Sequence, residues 1–264
     1  MYPHLPAFDL VRTPPKRGGP LLIVPVYNEM PHLAGIIQLI RQCWDGDILA
    51  VDDDSTDDSL ALLKSMESIH VIHNHENAGA GGVLLQGFAF AFRHKYRSII
   101  TLDADGQHSP FLIKDFFREI QPHYSDQESP PLTDFIWGSR YMQGHQSLSP
   151  HFQARQEVNK IITSRLNEIT GLNLSDAFCG FRAYRTEALR RLPVTETGYG
   201  MFLQMAILAW QQSVAVRDIP VPLVYLDEAR NFQSQFRDTR NRLAYYNSVI
   251  DAALSLAPSP SDEH

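Results

Sequence analysis

The sequence predicts an α/β domain, a mostly parallel sheet with helices on both faces. Two observations carry this. Short apolar or β-branched runs alternate with stretches whose apolar residues recur at helical spacing. The runs also end in clusters of Asp, Asn, Gly and Ser, at the strand ends where open sheets of this kind bind ligands.

The run at residues 21–25 is the first strand, followed by a helix over 31–43. Residues 47–51 form the second strand, with a helix over 57–66, and residues 69–72 form the third. A helix over 80–94, a central strand at 98–102 and a helix over 110–120 complete the first half. The second half reads as a strand at 134–137, a long helix over 153–169, a short strand at 181–184, a helix over 201–212 and a last strand at 215–219. A final helix over 236–256 places Leu243, Tyr246, Val249, Ile250, Ala253 and Leu254 on one apolar face. Without a strongly basic opposite face, that stripe suits packing on the sheet or on a second subunit, as in a homodimer, better than binding a membrane.

The flanks read differently. Residues 1–19 are rich in Pro and Gly and predict a flexible N-terminal arm; 258–264 predict a disordered tail. Between them lies one domain over 20–236, closed by the helical segment 237–257, with a Pro-rich insertion at 124–133.

Composition narrows the partners. The chain of 264 residues is 44% hydrophobic and 20% charged, ordinary for a globular protein with one large core. A formal net charge of −7 argues against a nucleic-acid partner. Two cysteines, Cys43 and Cys179, are too few for a disulfide framework and have no zinc spacing, so both are expected in the core or near the site. No run reaches the length of a membrane span and no signal-peptide core is present, which predicts a soluble, cytoplasmic protein.

The loops after the strands hold the chemistry. After the first comes Pro25-Val26-Tyr27-Asn28-Glu29, where Tyr27 offers a flat face and Glu29 a carboxylate for a base and ribose. After the second comes VDDDSTDD, in which Ser55 or Thr56 suits an N-cap and Asp57 and Asp58 the first helical turn. Asp52 and Asp53 are left at the strand end, where they could accept from a base or ribose, and their like charges would repel unless something donates to them. After the third comes NAGAGG. It departs from the dinucleotide fingerprint because the third glycine position falls on Leu84, so the glycines predict a tight helix start and a close backbone approach. His70, His73 and His75 alternate along a strand without a fourth ligand, and read as surface or loop residues.

After the central strand, Asp103-Ala104-Asp105-Gly106-Gln107-His108 sets two carboxylates and an amide oxygen within five residues. Hard divalent cations take oxygen ligands and complete their shell with water and substrate phosphates, so this turn suits a metal–diphosphate complex.

The set PVYNE, VDDDSTD, NAGAGG, LDADGQH, Trp137-Gly138-Ser139-Arg140 and Ser175-Asp176-Ala177-Phe178-Cys179-Gly180-Phe181-Arg182-Ala183 resembles the inverting family 2 glycosyltransferases, and within them the polyprenyl-phosphate (dolichyl-phosphate) mannosyl- and glucosyltransferase type. The resemblance spans residues 20–236. It implies a GT-A fold with a Rossmann-like mixed sheet, and transfer of a hexose from a UDP- or GDP-sugar to a polyprenyl phosphate or a cell-envelope glycan. It implies Mg²⁺ or Mn²⁺ held by Asp103, Asp105 and Gln107, and a base and ribose pocket of Pro25, Tyr27, Glu29, Val51 and Asp53, with Asp103 and Ala104 on the nucleotide sugar. Arg140 falls near the phosphates, Arg155 resembles a basic residue of the acceptor-phosphate pocket, and Asp105, Arg140 and Asp176 are the expected catalytic residues. For a hydroxyl acceptor, Asp176 would be the base. For a lipid phosphate no base is needed, and the protein would meet it peripherally at the cytoplasmic membrane face.

The chain departs from the family near its end. Arg230 stands where expected, but the lysine that should follow is replaced by Gln235 or absent, so Arg237 or Arg240 would have to supply the charge. Two other classes share part of the pattern. A sugar-nucleotide-binding scaffold would keep every motif without acceptor chemistry. A nucleotidyltransferase would need a glycine-rich, lysine-bearing loop after the first strand, which PVYNEMP lacks.

Overall fold

The computed structural model describes residues 5–13, 19–120, 133–142, 150–222 and 238–256, with 150–152 given by their backbone alone. The first half alternates strand and helix: β2 (Leu21–Val26), α1 (Met30–Cys43), β3 (Asp47–Asp52), α2 (Ser59–Ser65), β4 (His70–Asn74), α3 (Gly79–Arg93), β5 (Ser98–Thr101), a 3₁₀ turn (Pro110–Leu112) and α4 (Ile113–Ile120), all preceded by β1 (Phe8–Arg12). The second half runs β6 (Phe135–Ser139), α5 (Pro150–Thr170), β7 (Arg182–Arg185), α6 (Thr186–Arg190), α7 (Met201–Gln211), β8 (Val216–Pro220) and α8 (Thr239–Leu254).

Among the described residues, eight strands form one mixed sheet in the order β1-β4-β3-β2-β5-β7-β6-β8. β2 pairs in parallel with β3 on one side and β5 on the other, so the chain reverses its direction of winding at β2. The crevice at the carboxyl ends of β2 and β5 is therefore the topological switch point, where such sheets bind ligands.

Side chains alternate across the strands and feed two cores. Leu21, Ile23, Leu49, Val51, Ile99 and Trp137 pack with α3, α5, α7 and α8. Leu22, Val24, Ile48, Ala50, Ile100 and Ile136 pack with α1, α2 and α4 on the other face. Each such aliphatic side chain, taken fully from water, contributes about 1.5–3 kcal/mol, which fixes the register of the strands that carry them.

Two elements lie outside the sequence expectation. Residues 8–12, read as part of a flexible arm, form β1, which pairs antiparallel with β4 from Phe8↔Asn74 to Arg12↔Val71. α6 is a short helix directly after β7. α8 packs its apolar face on the domain's own core, where Tyr246, Val249, Ile250 and Ala253 are buried. Arg165 of α5 ties it down through Asp251 at 2.5 Å and through Asn247. The alternative of a second subunit is not required to cover that stripe, and Leu254, expected on it, is exposed. The 124–133 insertion and the 258–264 tail lie outside the described residues, among which no helix is long and apolar enough to cross a membrane.

Candidate active site

The loops after β2 and β3 are built as one unit. Asn28 takes a left-handed conformation, φ 55°, which an asparagine tolerates better than most residues. Its Oδ1 accepts from the backbone N–H of Thr56 (2.8 Å) and Asp57 (3.3 Å), while its own N–H donates to Ser55 Oγ at 3.0 Å. Glu29 N–H donates to Ser59 Oγ at 3.0 Å, and Met30 N–H to Asp57 Oδ2 at 3.1 Å. Asp57 also accepts from Ser59 N–H at 2.9 Å, so it serves the first turns of both α1 and α2. That replaces the expected Ser55 or Thr56 cap, and α2 begins at Ser59.

Asp52 and Asp53 are both buried, and each finds donors. Asp52 Oδ2 lies 2.8 Å from His73 Nδ1. Asp53 accepts from Asn74 Nδ2 (2.8 Å), Ala78 N–H (2.7 Å) and Gly79 N–H (3.1 Å), which anchors the glycine turn to the end of β3. Burial pushes the Asp53 pKa up and these donors oppose it. Expected on the ribose, Asp53 thus spends its hydrogen bonds on the α3 turn. Val51 is fully buried in the core and Ala104 nearly so, which leaves only their backbone to face a ligand. Tyr27 is 47% exposed beside Pro25 and Glu29, at the mouth of the crevice.

The histidines divide. His75 is at the surface beside Asp9 (3.2 Å), whereas His70, expected there too, is buried 3.7 Å from Asp47. Burial lowers its pKa despite that carboxylate.

The turn after β5 faces the loop after β2. Gly106 has φ +72°, and Asp105 Oδ1 accepts from Gln107 N–H at 2.9 Å, closing a tight Asx-type turn. Asp103, with its side chain 43% exposed, sits in a recess within the field of Asp105, Glu29, Arg140 and Arg182. Enclosure by the protein and then the like charge of Asp105 push its pKa up, to about 7; Arg140 opposes this. The carboxylate lies against the Cα of Gly180, where any Cβ would collide with both of its oxygens. His108 is buried, with Nε2 3.8 Å from Asp103 Oδ2 and 3.9 Å from Cys179 Sγ. Burial and the Arg140 charge lower its pKa to about 4, so it is a neutral wall of the recess.

This donor set fits a hard divalent cation. Its ligands are carboxylate and amide oxygens, and the crowding of Asp103, Asp105 and Glu29 is relieved by positive charge. Among the described residues no group of three or more His, Cys, Asp or Glu side chains forms a ready cage, so water or substrate oxygens would have to fill the remaining positions.

Opposite the turn, Arg140, its side chain 20% exposed, pairs with the fully buried Asp176. Arg140 donates to Asp176 from Nε (2.6 Å), Nη2 (2.9 Å) and its backbone N–H (3.2 Å). Asn159 Nδ2 (2.6 Å) and Phe178 N–H (3.0 Å) fill the remaining positions. Burial alone would raise the Asp176 pKa, but Arg140 and the other donors outweigh it and hold the carboxyl below its usual range. This corrects the expectation of Asp176 as a base: a fully buried carboxylate accepting five hydrogen bonds has no lone pair directed at an acceptor. Its work is to fix Arg140, whose Nη1 is the one nitrogen Asp176 leaves unengaged.

Arg182, which the sequence reading left without a role, is fully buried between the Trp137 and Phe202 rings, 3.8 Å from each centroid. It donates to Cys179 O and Ala177 O at 2.7 Å, so it shapes the segment that carries Asp176 and cradles Asp103. An arginine one residue after Gly180-Phe181 was visible in the sequence, but its partners are backbone carbonyls, which leave no motif. Both cysteines are buried, and burial pushes the Cys179 thiol up to about 12. Arg155 stands on α5 within the field of Tyr199, which also feels Asp103. Arg230, Gln235 and Arg237 lie outside the described residues.

Comparison with known proteins agrees with this architecture. Residues 21–192 match the model of Glycosyl transferase family 2. The polyprenol monophosphomannose synthase of Mycolicibacterium smegmatis is 28% identical over 210 residues, covering 76% of each chain. The undecaprenyl-phosphate mannosyltransferase of Micrococcus luteus is 27% identical over 212 residues, covering 77% of this chain and 83% of its own. Among solved structures, the glucosyl-3-phosphoglycerate synthase of Mycobacterium tuberculosis, crystallised with Mn²⁺, UDP and phosphoglyceric acid, superposes with a TM-score of 0.63 over 91% of this chain and 80% of that one. At 14% identity that likeness shows the GT-A fold alone. The matched segment runs from β2 to Leu192 and contains the switch-point loops, the Asp103 turn and the Arg140–Asp176 pair, and the chain belongs to glycosyl transferase family 2.

Proposed function

We propose that this glycosyltransferase moves a hexose from a UDP- or GDP-sugar to a phosphate oxygen of a polyprenyl phosphate, with inversion at the anomeric carbon. The observation that carries the acceptor class is the saturated Asp176. A hydroxyl acceptor needs a base, and the carboxylate expected to serve is locked; a phosphate acceptor is already anionic and needs none. The names of the mycobacterial and Micrococcus relatives point to the same acceptor chemistry.

Tyr27, Pro25 and Glu29 would hold the base and ribose at the mouth of the crevice, and Asp103, Asp105 and Gln107 would hold Mg²⁺ or Mn²⁺. The cation, when bound, neutralises charge on the departing nucleoside diphosphate. Arg140, pre-aimed by Asp176, offers its remaining nitrogen to the same charge without reorganising at the moment of reaction. The acceptor oxygen attacks the anomeric carbon from the face opposite the diphosphate; the new C–O bond forms as the old one breaks, and the leaving group departs with its electron pair.

A donor panel of UDP- and GDP-hexoses, with Mg²⁺, Mn²⁺ or chelator, tests the reading. One donor is expected to bind and turn over only with metal, and to give product with a polyprenyl phosphate but not with the corresponding polyprenol. Failure to bind any nucleotide sugar, with or without metal, would overturn it.

A further inference from the structure

The N-terminal half of α8 turns one cation inward. The residues of this helix that face the domain are Arg242, Tyr246, Val249, Ile250 and Ala253. Arg242 is only 9% exposed, and its Nε is buried without a hydrogen-bond partner. The arginine ion pairs of the described residues involve Arg118, Arg140, Arg165, Arg185 and Arg217, and none involves Arg242. Arg182, also buried, is held by two carbonyls and two rings, although its Nη1 too lacks a partner; among the described residues no carbonyl, carboxylate or ring plays that part for Arg242. A buried guanidinium nitrogen without a partner is costly, and it marks a place where an anion would be welcome.

The neighbours of Arg242 lead to Asp103. Tyr246, one turn along α8, sets its ring 4.7 Å from Phe178, which lies between Asp176 and Gly180. Tyr245 donates to Glu196 Oε1 at 2.7 Å and accepts from Gly200 N–H at 3.2 Å, pinning α8 on both sides of Tyr199. Tyr246 lies within the fields of Arg242 and Tyr199, and Tyr199 within those of Asp103 and Arg155. Aromatic and cationic groups thus run from α8 to the recess of the Asp103 turn.

We propose that Arg242 is an acceptor-binding residue, pairing with the phosphate monoester of the acceptor alongside Arg155 and Tyr199. The inference rests on the phosphate-acceptor reading above. Arg240, the other described candidate, is exposed. A guanidinium fork matches a phosphate in two parallel hydrogen bonds, which a lysine does not.

The test is equilibrium binding by the full chain, without donor or metal, of two probes: a short-chain prenyl phosphate and glycerol 3-phosphate. Preference for the first identifies a lipid source of the phosphate, and preference for the second a soluble one. Arg242→Met is expected to weaken the preferred probe by about tenfold or more, with thermal stability equal or higher because an apolar side chain replaces one whose buried Nε has no partner. Arg242→Lys should recover part of the loss, and Arg242→Gln serves if the methionine variant does not fold. Equal affinity of wild type and Arg242→Met, or binding of neither probe by wild type, overturns the proposal. A fall in stability with equal losses of phosphate and nucleotide-sugar affinity also overturns it, by making Arg242 structural. If the donor panel fails but Arg242→Met still abolishes phosphate binding, the donor reading falls and Arg242 stands.

Discussion

Asp176 shows how much of a site depends on pairings between residues far apart in sequence. Arg140 lies 36 residues from it and Asn159 lies 17, and nothing in either segment announces that they converge. The folded state holds the Asp176 carboxyl below its usual range, so its charged form is favoured by folding. The resulting stability is complete above about pH 4, the carboxylate range of an unfolded chain, and is lost as pH falls through the depressed folded value. Asp176→Asn leaves the largely buried Arg140 with a weaker partner, and breaking such a pair costs up to about 3–5 kcal/mol. Urea midpoints of wild type and variant should therefore differ by a constant amount between pH 6 and 8 and converge in acid; a gap that persists below the folded pKa would contradict the assignment. Gly180 makes the complementary case. A methyl group there would strike the Asp103 carboxylate, the movable end of a side chain, while the Gly180 backbone stays in place. Gly180→Ala should keep its melting temperature nearly unchanged and lose metal-dependent donor binding by about tenfold or more, since a misaimed ligand is felt directly in such a site.

Glycines also separate roles at the level of elements. At the start of α3, Gly81 and Gly82 donate their backbone N–H to Thr197 O at 2.8 and 3.0 Å, and a Cβ on Gly81 would meet the backbone oxygens of Glu196 and Gly198 at 2.8 and 2.9 Å. Backbone cannot swing aside as a side chain can, so Gly81→Ala should destabilise by about 1–3 kcal/mol and shift the 196–200 loop that carries Tyr199. Gly35, within α1, has open space where its Cβ would be, and Gly35→Ala should stabilise by about 0.5–1 kcal/mol through helix propensity. Chemical denaturation of the two variants checks both signs. The sequence distinguishes these glycines only in part. NAGAGG after a strand announces a tight helix start, as found, whereas its binding to a loop more than a hundred residues on is a tertiary fact. The strands from residue 21 to 102 were legible because their apolar runs are buried on both faces, so composition and position agree. β1 was not: its residues are largely exposed, and it is held by backbone pairing to β4, which leaves no trace in hydropathy. His70 escaped for a related reason, since alternation along a strand does not say which face another element covers.

At the level of the whole molecule, the crevice is made of parts that are distant in the chain but fixed to one sheet. Glu29 follows β2, Asp103 follows β5, and Arg140 follows β6, so a ligand that touches all three bridges strands that otherwise communicate through the core. A ligand bound only by the native state stabilises it by an amount set by its concentration over its dissociation constant, about 2.7 kcal/mol at one hundred times that constant. A nucleoside diphosphate with Mn²⁺ or Mg²⁺ should therefore raise the melting temperature by a few degrees, and by more than the sum of the two added separately, because each completes the other's site. Asp103→Ala should abolish the metal-dependent part and keep the increment from nucleotide alone, which the proposed function assigns to Tyr27 and Glu29. A scaffold that binds sugar nucleotides would show the same thermal pattern, so the decisive comparison adds turnover. In the transferase, Asp103→Ala loses the metal-dependent stabilisation and hexose transfer together. Retained cellular function in that variant would favour the scaffold.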